Sequence, residues 1–429
     1  MSLMPPASKG VRLHIGLFGR RNAGKSSLLN ALTRQAVSIV SSVPGTTTDP
    51  VEKPMELQPV GPVLFIDTAG LDDQGDLGKL RMNRSQQVMQ RIDMALLVAD
   101  VAAWGDVETT FVADTKARGV PTVIALNKVD HQAVPAALRQ ELTQKGCLWV
   151  ETSALTGQGI SALREALVGT AQASLGEPPP LLADLVAAGE MALLVVPIDK
   201  EAPKGRLILP QVQAIRELLD QDALCLVVKE RELRNVLGRL STPPKIVVTD
   251  SQAFLKVAAD TPPGTLLTSF SILFSRAKGD LTTQVAGALA VDRLRPGARV
   301  LIAEACTHHP IAEDIGRVKI PRWLTQSVGG AIHFEHVQGR DFPSDLSTYD
   351  LVIHCGACMW NRQSMQARIQ CCRSAGVPIT NYGLVIAHSL GVLERALGPF
   401  PAALEFYRSQ KSMALPLREP APPALGVTP

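Results

Sequence analysis

Short aliphatic runs recur along the chain, separated by longer stretches whose apolar positions return at helical spacing. The runs are HIGLFG (14–19), VLFIDTAG (63–70), MALLVAD (94–100), TVIALNKVD (122–130), ALCLVVKE (223–230), KIVVTD (245–250), RVLIAEA (299–305), DLVIHC (350–355) and VPITNYG (377–383). None alternates apolar with polar positions, as a strand with one wet face would. They predict strands covered on both faces, joined by crossover helices: an α/β protein built on parallel sheets. Two Pro-rich breaks, LGEPPPLL (175–182) and ADTPPGTLL (259–267), read as linkers. They divide the chain into expected domains at 1–175, 176–268 and 269–412, with a loose Pro-rich tail at 413–429.

A length of 429 residues has room for several cores. The balance of 43 basic against 40 acidic residues, without a Lys/Arg run, leaves no broad positive field for a nucleic-acid backbone, so nucleic acid is not expected as a partner. No stretch reaches the roughly 18 consecutive apolar residues of a membrane span, and the N-terminus lacks a signal-peptide apolar core, so the expected location is cytoplasmic, with no membrane partner. Seven cysteines, an odd number clustered late in the chain, point to reduced thiols and a metal rather than a disulfide framework.

Within the first domain, GRRNAGKS (19–26) stands between an apolar strand and the helical SLLNALTRQ. This is the strand–loop–helix setting of a P-loop. Gly19, Asn22, Ala23, Gly24, Lys25, Ser26 and Ser27 form the candidate phosphate cradle, with Lys25 on the β/γ-phosphates and the Ser26 hydroxyl on Mg2+. Three further motifs follow in order at strand ends. In DTAG, Asp67 is expected in the magnesium shell and Gly70 as the sensor of a γ-phosphate. In NKVD, the Asp130 carboxylate can accept from N1–H and N2–H of guanine, while Asn127 and Lys128 brace the base and loop. In TSALTGQG, the backbone of Ser153, Ala154 and Leu155 can read the guanine O6. Together they specify GTP rather than ATP.

The residue after Gly70 is Leu71, which can neither donate nor accept a proton, so the attacking water must be oriented otherwise. The first domain resembles the Era and tRNA-modifying GTPases. That resemblance implies a K+ ion coordinated by Asn22 where an arginine finger would lie, and it places Thr47 of SSVPGTTTDPVEKP as the magnesium-binding switch threonine. Thr48 and Pro50 depart from the tRNA-enzyme pattern, which argues against tRNA modification.

The middle domain carries no catalytic constellation and reads as an assembly surface; Cys225, inside an apolar run, is expected as a buried thiol. The third places Cys306, His308 and His309 just after one predicted strand, and His354, Cys355 and Cys358 just after another. In an open parallel sheet, loops at the carboxyl ends of strands converge, so these donors form a candidate metal site. A thioredoxin-type disulfide, a structural Cys3His zinc site and an iron–sulfur site all use such residues, and spacing does not choose among them. Cys371 and Cys372 are expected to be incidental, and His333 and His336 to be surface residues.

Taken whole, a GTPase segment with PGTTTDPV, a featureless α/β middle, and Cys-x-His followed by His-Cys-x-x-Cys resembles the HydF family, the maturation GTPases of FeFe-hydrogenase. The resemblance implies a 4Fe-4S cluster on Cys306, Cys355 and Cys358, with an exchangeable fourth ligand for which His354, His308 and His309 are candidates. It further implies a di-iron precursor as cargo and dimerisation through the middle domain. The implied partners are apo FeFe-hydrogenase and the radical-SAM hydrogenase maturation enzymes. The alternative is a GTPase assembly factor with a purely structural zinc domain.

Overall fold

The computed structural model describes residues 12–33, 51–68, 70–72, 87–175, 179–198, 205, 207–305, 314–339 and 341–414. These fall into two compact units, one of residues 1–179 with 357–371, the other of residues 180–356 with 372–429.

The first unit holds a six-stranded sheet. Its strands are β1 (Leu13–Phe18), β2 (Val51–Leu57), β3 (Gly61–Asp67), β4 (Met94–Asp100), β5 (Thr122–Asn127) and β6 (Leu148–Glu151), in the order β2-β3-β1-β4-β5-β6. Only β2 is antiparallel to its neighbour. The period of two sends alternate residues to opposite faces, and both faces are covered. Ile15, Leu17, Phe65, Leu96, Val98, Val123 and Ala125 join one core with Leu28, Leu29 and Leu163. Phe18, Leu64, Ile66, Leu97, Ala99, Ile124 and Leu126 join the other with Phe111 and Leu138. This is why the strands read as unbroken aliphatic runs.

The second unit contains two four-stranded parallel sheets. One comprises β7 (Met191–Val195), β8 (Leu224–Val228), β9 (Ile246–Thr249) and β10 (Leu266–Ser269), in the order β10-β9-β7-β8. The other comprises β11 (Arg299–Glu304), β12 (His333–Gln338), β13 (Leu351–His354) and β14 (Ile379–Asn381), in the order β12-β11-β13-β14. Strand direction of travel reverses at β11, whose neighbours are β12 and β13. Such a switch point opens a crevice beyond the carboxyl ends of the strands.

Three expectations are corrected. The Pro262-Pro263-Gly264 run is a tight turn, with Thr265 N donating to Pro262 O at 3.1 Å, and leads straight into β10 of the second sheet, so 259–267 is not a linker. By contacts, residues 357–371 group with the first unit. Cys225 lies on the edge strand β8 and is only half-buried. His336 is half-buried on β12, its ring Nε2 3.2 Å from the Gly316 carbonyl, although His333 is exposed as expected.

Candidate functional site

The P-loop forms where β1 meets the helix Lys25–Thr33. Gly19 has φ +145°, and a Cβ there would sit 2.0 Å from Val98 O; Gly24 has φ +94°, and its Cβ would meet Asn127 Nδ2 at 2.3 Å. Only glycine fits either place. Asn22 also occupies the left-handed region, at φ 62°. Lys25 Nζ donates to the carbonyls of Gly19 and Arg20, both at 2.9 Å, so the ammonium is held within the loop it serves.

Ser26 Oγ donates to Asp67 Oδ2 at 2.9 Å. The other carboxylate oxygen, Asp67 Oδ1, is buried and has no hydrogen-bond partner among the described residues. Burial pushes the Asp67 carboxyl up, against the opposing Ser26 hydrogen bond and the nearby Lys25 and Lys53 charges. A hydroxyl, a carboxylate and an orphaned buried oxygen suit a hard divalent cation, so these residues fit Mg2+. Lys53 is buried on β2, and burial lowers its pKa while Asp67 opposes the shift; no sequence motif marked it. Leu71 N donates to Gly19 O at 3.2 Å and the half-buried Leu71 side chain packs on the core. Gly70 lies so close to Arg21 N and Asp72 Oδ1 that a Cβ would meet each at 2.9 Å.

Asn127 links three of the motifs. It is 1% exposed; its Nδ2 donates to Ala23 O at 2.9 Å, and its Oδ1 accepts from Ala154 N at 3.2 Å and Thr152 Oγ1 at 3.4 Å. Lys128, at φ 67°, donates to Asp100 Oδ2 at 2.7 Å. The Ser153 hydroxyl holds Asp130 below the usual carboxylate range. Leu155 is 82% exposed. Ser27 is exposed at the start of the helix. Thr47 lies outside the described residues.

In the second unit, β13 ends at His354, which is fully buried with Nδ1 2.9 Å from the Cys355 carbonyl. Cys355 N donates to Ala303 O at 2.9 Å, and Ala305 N donates to Cys355 Sγ at 3.1 Å. An amide N–H aimed at sulfur favours the thiolate. Beside it is a buried polar group that sequence reading missed: Glu304 accepts from Tyr382 OH at 3.2 Å and from Gln338 Nε2 at 2.8 Å. Burial, with the adjacent Cys355 and Glu304, drives the Tyr382 phenol well above its ordinary pKa. Cys358 sits in a turn of the first unit after Ala357, a non-glycine residue at φ 50°. Cys306, His308 and His309 lie outside the described residues. Among the described residues no group of three or more His, Cys, Asp or Glu side chains could hold a metal ion, and no helix is long and apolar enough to cross a membrane.

A P-loop at the end of β1, in a chain that continues into two further parallel sheets, defines a GTPase with additional α/β domains. Family models match in three places: a 50S ribosome-binding GTPase model over residues 14–128, the hydrogen maturase F dimerization domain over 181–279, and the hydrogen maturase F tetramerization domain over 282–399. The chain belongs to the hydrogen maturase F (HydF) family, the hydrogenase maturase GTPases. The dimerization match continues past the expected boundary at 268, through the helix Phe270–Lys278.

Among curated relatives, the tRNA modification GTPase MnmE of Prochlorococcus marinus (strain MIT 9303) is 40% identical over 166 residues, 38% of this chain and 35% of the relative. MnmE of Roseiflexus sp. (strain RS-1) is 42% identical over 157 residues, 34% of this chain and 33% of the relative. The chain thus spans about a third of the length of these relatives. Among solved structures, the G domain of the T. maritima FeoB iron transporter is 25% identical, with 38% of this chain and 99% of that chain covered, at a TM-score of 0.30. NFeoB from S. thermophilus bound to GDP.AlF4- and K+ is 24% identical, with 37% and 61% covered, at a TM-score of 0.31.

Proposed function

We propose that this chain is a GTP-switched scaffold and carrier that holds a 4Fe-4S cluster and hands a di-iron precursor to apo FeFe-hydrogenase. The observation that carries the reading is the hydrogen bond from Ala305 N to Cys355 Sγ at the carboxyl ends of β11 and β13. It favours thiolate character at a sheet switch point, and the residue after Ala305 in sequence is Cys306. The thiols of Cys306, Cys355 and Cys358 would hold the cluster, which supplies, when bound, an iron whose remaining ligand can be exchanged. His354, whose Nδ1 faces the Cys355 carbonyl, His308 and His309 are the candidates for that ligand.

In the GTPase unit, Lys25 neutralises the β/γ-phosphates, Ser26, Asp67 and Thr47 serve Mg2+, and Asp130 selects guanine. Asn22, left-handed at the loop apex, would hold K+ to offset charge developing between the phosphates. Hydrolysis then acts as a switch on partner affinity rather than as a source of product. The partners of that exchange would be apo FeFe-hydrogenase and the radical-SAM hydrogenase maturation enzymes, and the assembly would be a homodimer or higher homo-oligomer.

Anaerobic reconstitution with iron and sulfide tests the reading. The expected product absorbs broadly in the visible and gives a paramagnetic signal on reduction, and Cys306→Ser, Cys355→Ser and Cys358→Ser each lose it while retaining GTP hydrolysis. Tight stoichiometric zinc with neither signal would establish the structural-zinc alternative instead. Lys25→Ala should keep the cluster yet fail to support hydrogenase activation at a normal rate.

A further inference from the structure

Asn361 stands three residues after Cys358 and caps the helix Arg362–Ala375: its Oδ1 accepts from Ser364 N at 3.2 Å and Ser364 Oγ at 2.6 Å. Capping needs only that oxygen. The amide nitrogen goes elsewhere, donating to Arg91 O at 2.8 Å and lying 3.1 Å from each oxygen of Asp93. Asp93 in turn accepts from His14 N of β1 at 2.8 Å and immediately precedes β4. Asn361 is 5% exposed and His14 is also buried, so this is a closed joint rather than a surface contact.

Arg91 extends the joint toward the nucleotide. Its guanidinium donates to Glu52 Oε1 at 2.9 Å, with both side chains largely buried. Glu52 belongs to β2, where it pairs with Ile66, and its neighbour Val51 pairs with Asp67, the magnesium carboxylate. Thr47 lies five residues upstream in sequence. Two hydrogen bonds, Glu52 to Arg91 and Arg91 to Asn361, thus span from the strand beside the magnesium site to the helix cap behind Cys358.

We infer that Asn361 is a positioning residue that ties the Cys358 turn to the GTPase switch region through Arg91 and Glu52. The inference deepens the scaffold reading, on which it rests for the role of Cys358. A change in β2 on nucleotide exchange pulls on Arg91 and through it on the cap, and by reciprocity the state of the Cys358 turn biases nucleotide affinity.

The test uses the full-length chain freed of metal. Alkylation of Cys358 by iodoacetamide, followed by mass spectrometry of its peptide, is timed with GTPγS and with GDP. In the wild type the two rates should differ by about fivefold or more. Asn361→Ser retains a capping oxygen but lacks the amide donor, and Glu52→Gln weakens the far end without touching the helix; both should bind nucleotide normally and lose most of the difference. Equal rates in the wild type, or an undiminished difference in Asn361→Ser, would overturn the inference. Because no iron is present, the result is independent of whether reconstitution yields a cluster, so a failure of the scaffold reading and a failure of this joint are told apart.

Discussion

Asn127 is the residue at which the nucleotide-free fold and the nucleotide site can be separated by experiment. Asn127→Ala removes the donor to Ala23 O and the acceptor for Ala154 N, at 2.9 and 3.2 Å, together with the longer Thr152 contact. Asn127 is 1% exposed and Ala23 2%, so the orphaned Ala23 carbonyl has no solvent to turn to, while the half-buried Ala154 amide has partial access to water. Leaving a buried donor or acceptor unsatisfied costs about 1–3 kcal/mol each. Two such groups, partly relieved by local relaxation, give about 2–4 kcal/mol. For a unit of this size that is a fall in unfolding midpoint on the order of 5–10 °C. The assay is thermal unfolding followed by circular dichroism in nucleotide-free protein, with GTP titrated afterwards. Gly24→Ala approaches the same joint from the other side, since its Cβ would meet Asn127 Nδ2 at 2.3 Å, and should lower the midpoint as well. If Asn127→Ala unfolded at the wild-type temperature without nucleotide and lost only GTP affinity, Asn127 would be a base contact and its bracing role would be refuted.

Hydrolysis should be faster in potassium than in sodium, and Asn22→Ala should remove most of that response while affecting GTP affinity less; equal wild-type rates in the two salts would sink the K+ assignment. Leu224 and Val227 are 54% and 42% exposed on the edge strand β8 of the domain that matches a dimerization model, and an apolar open edge calls for a partner strand. The pair Leu224→Lys and Val227→Lys should therefore shift sedimentation toward smaller species, and an unchanged assembly would place the interface elsewhere. Burial pushes the Asp280 carboxyl up, but the Thr283 amide and the Arg373 guanidinium outweigh it and hold the pKa below its ordinary value. A depressed pKa stabilises the fold above the unfolded value of about 4 and ceases to do so as pH falls through the folded value. Asp280→Ala should cost about 1 kcal/mol at neutral pH, mostly as a lost helix cap, with the gap to wild type narrowing in acid denaturant titrations.

Local spacing alone determined the nucleotide motifs, because each needs only a strand end, a turn and a helix start within a few residues: GRRNAGKS, DTAG and NKVD all stand where their aliphatic runs end. The parallel sheets were legible for the same reason, since strands covered on both faces must read as unbroken Val, Ile and Leu. Tertiary structure decided what depends on neighbours far apart in sequence. Lys53 is buried on β2 because that strand pairs with β3 beside Asp67. Cys225 is half-exposed because β8 is an edge, a property of strand order rather than of the strand's own residues. The Pro262-Pro263-Gly264 run reads as a break in any local window, and only the strand that follows it shows a turn inside a sheet. Asn361 reads locally as a helix cap; its amide meets Arg91 and Asp93 some 270 residues away, a pairing that no periodicity encodes because packing, not spacing, brings the two together.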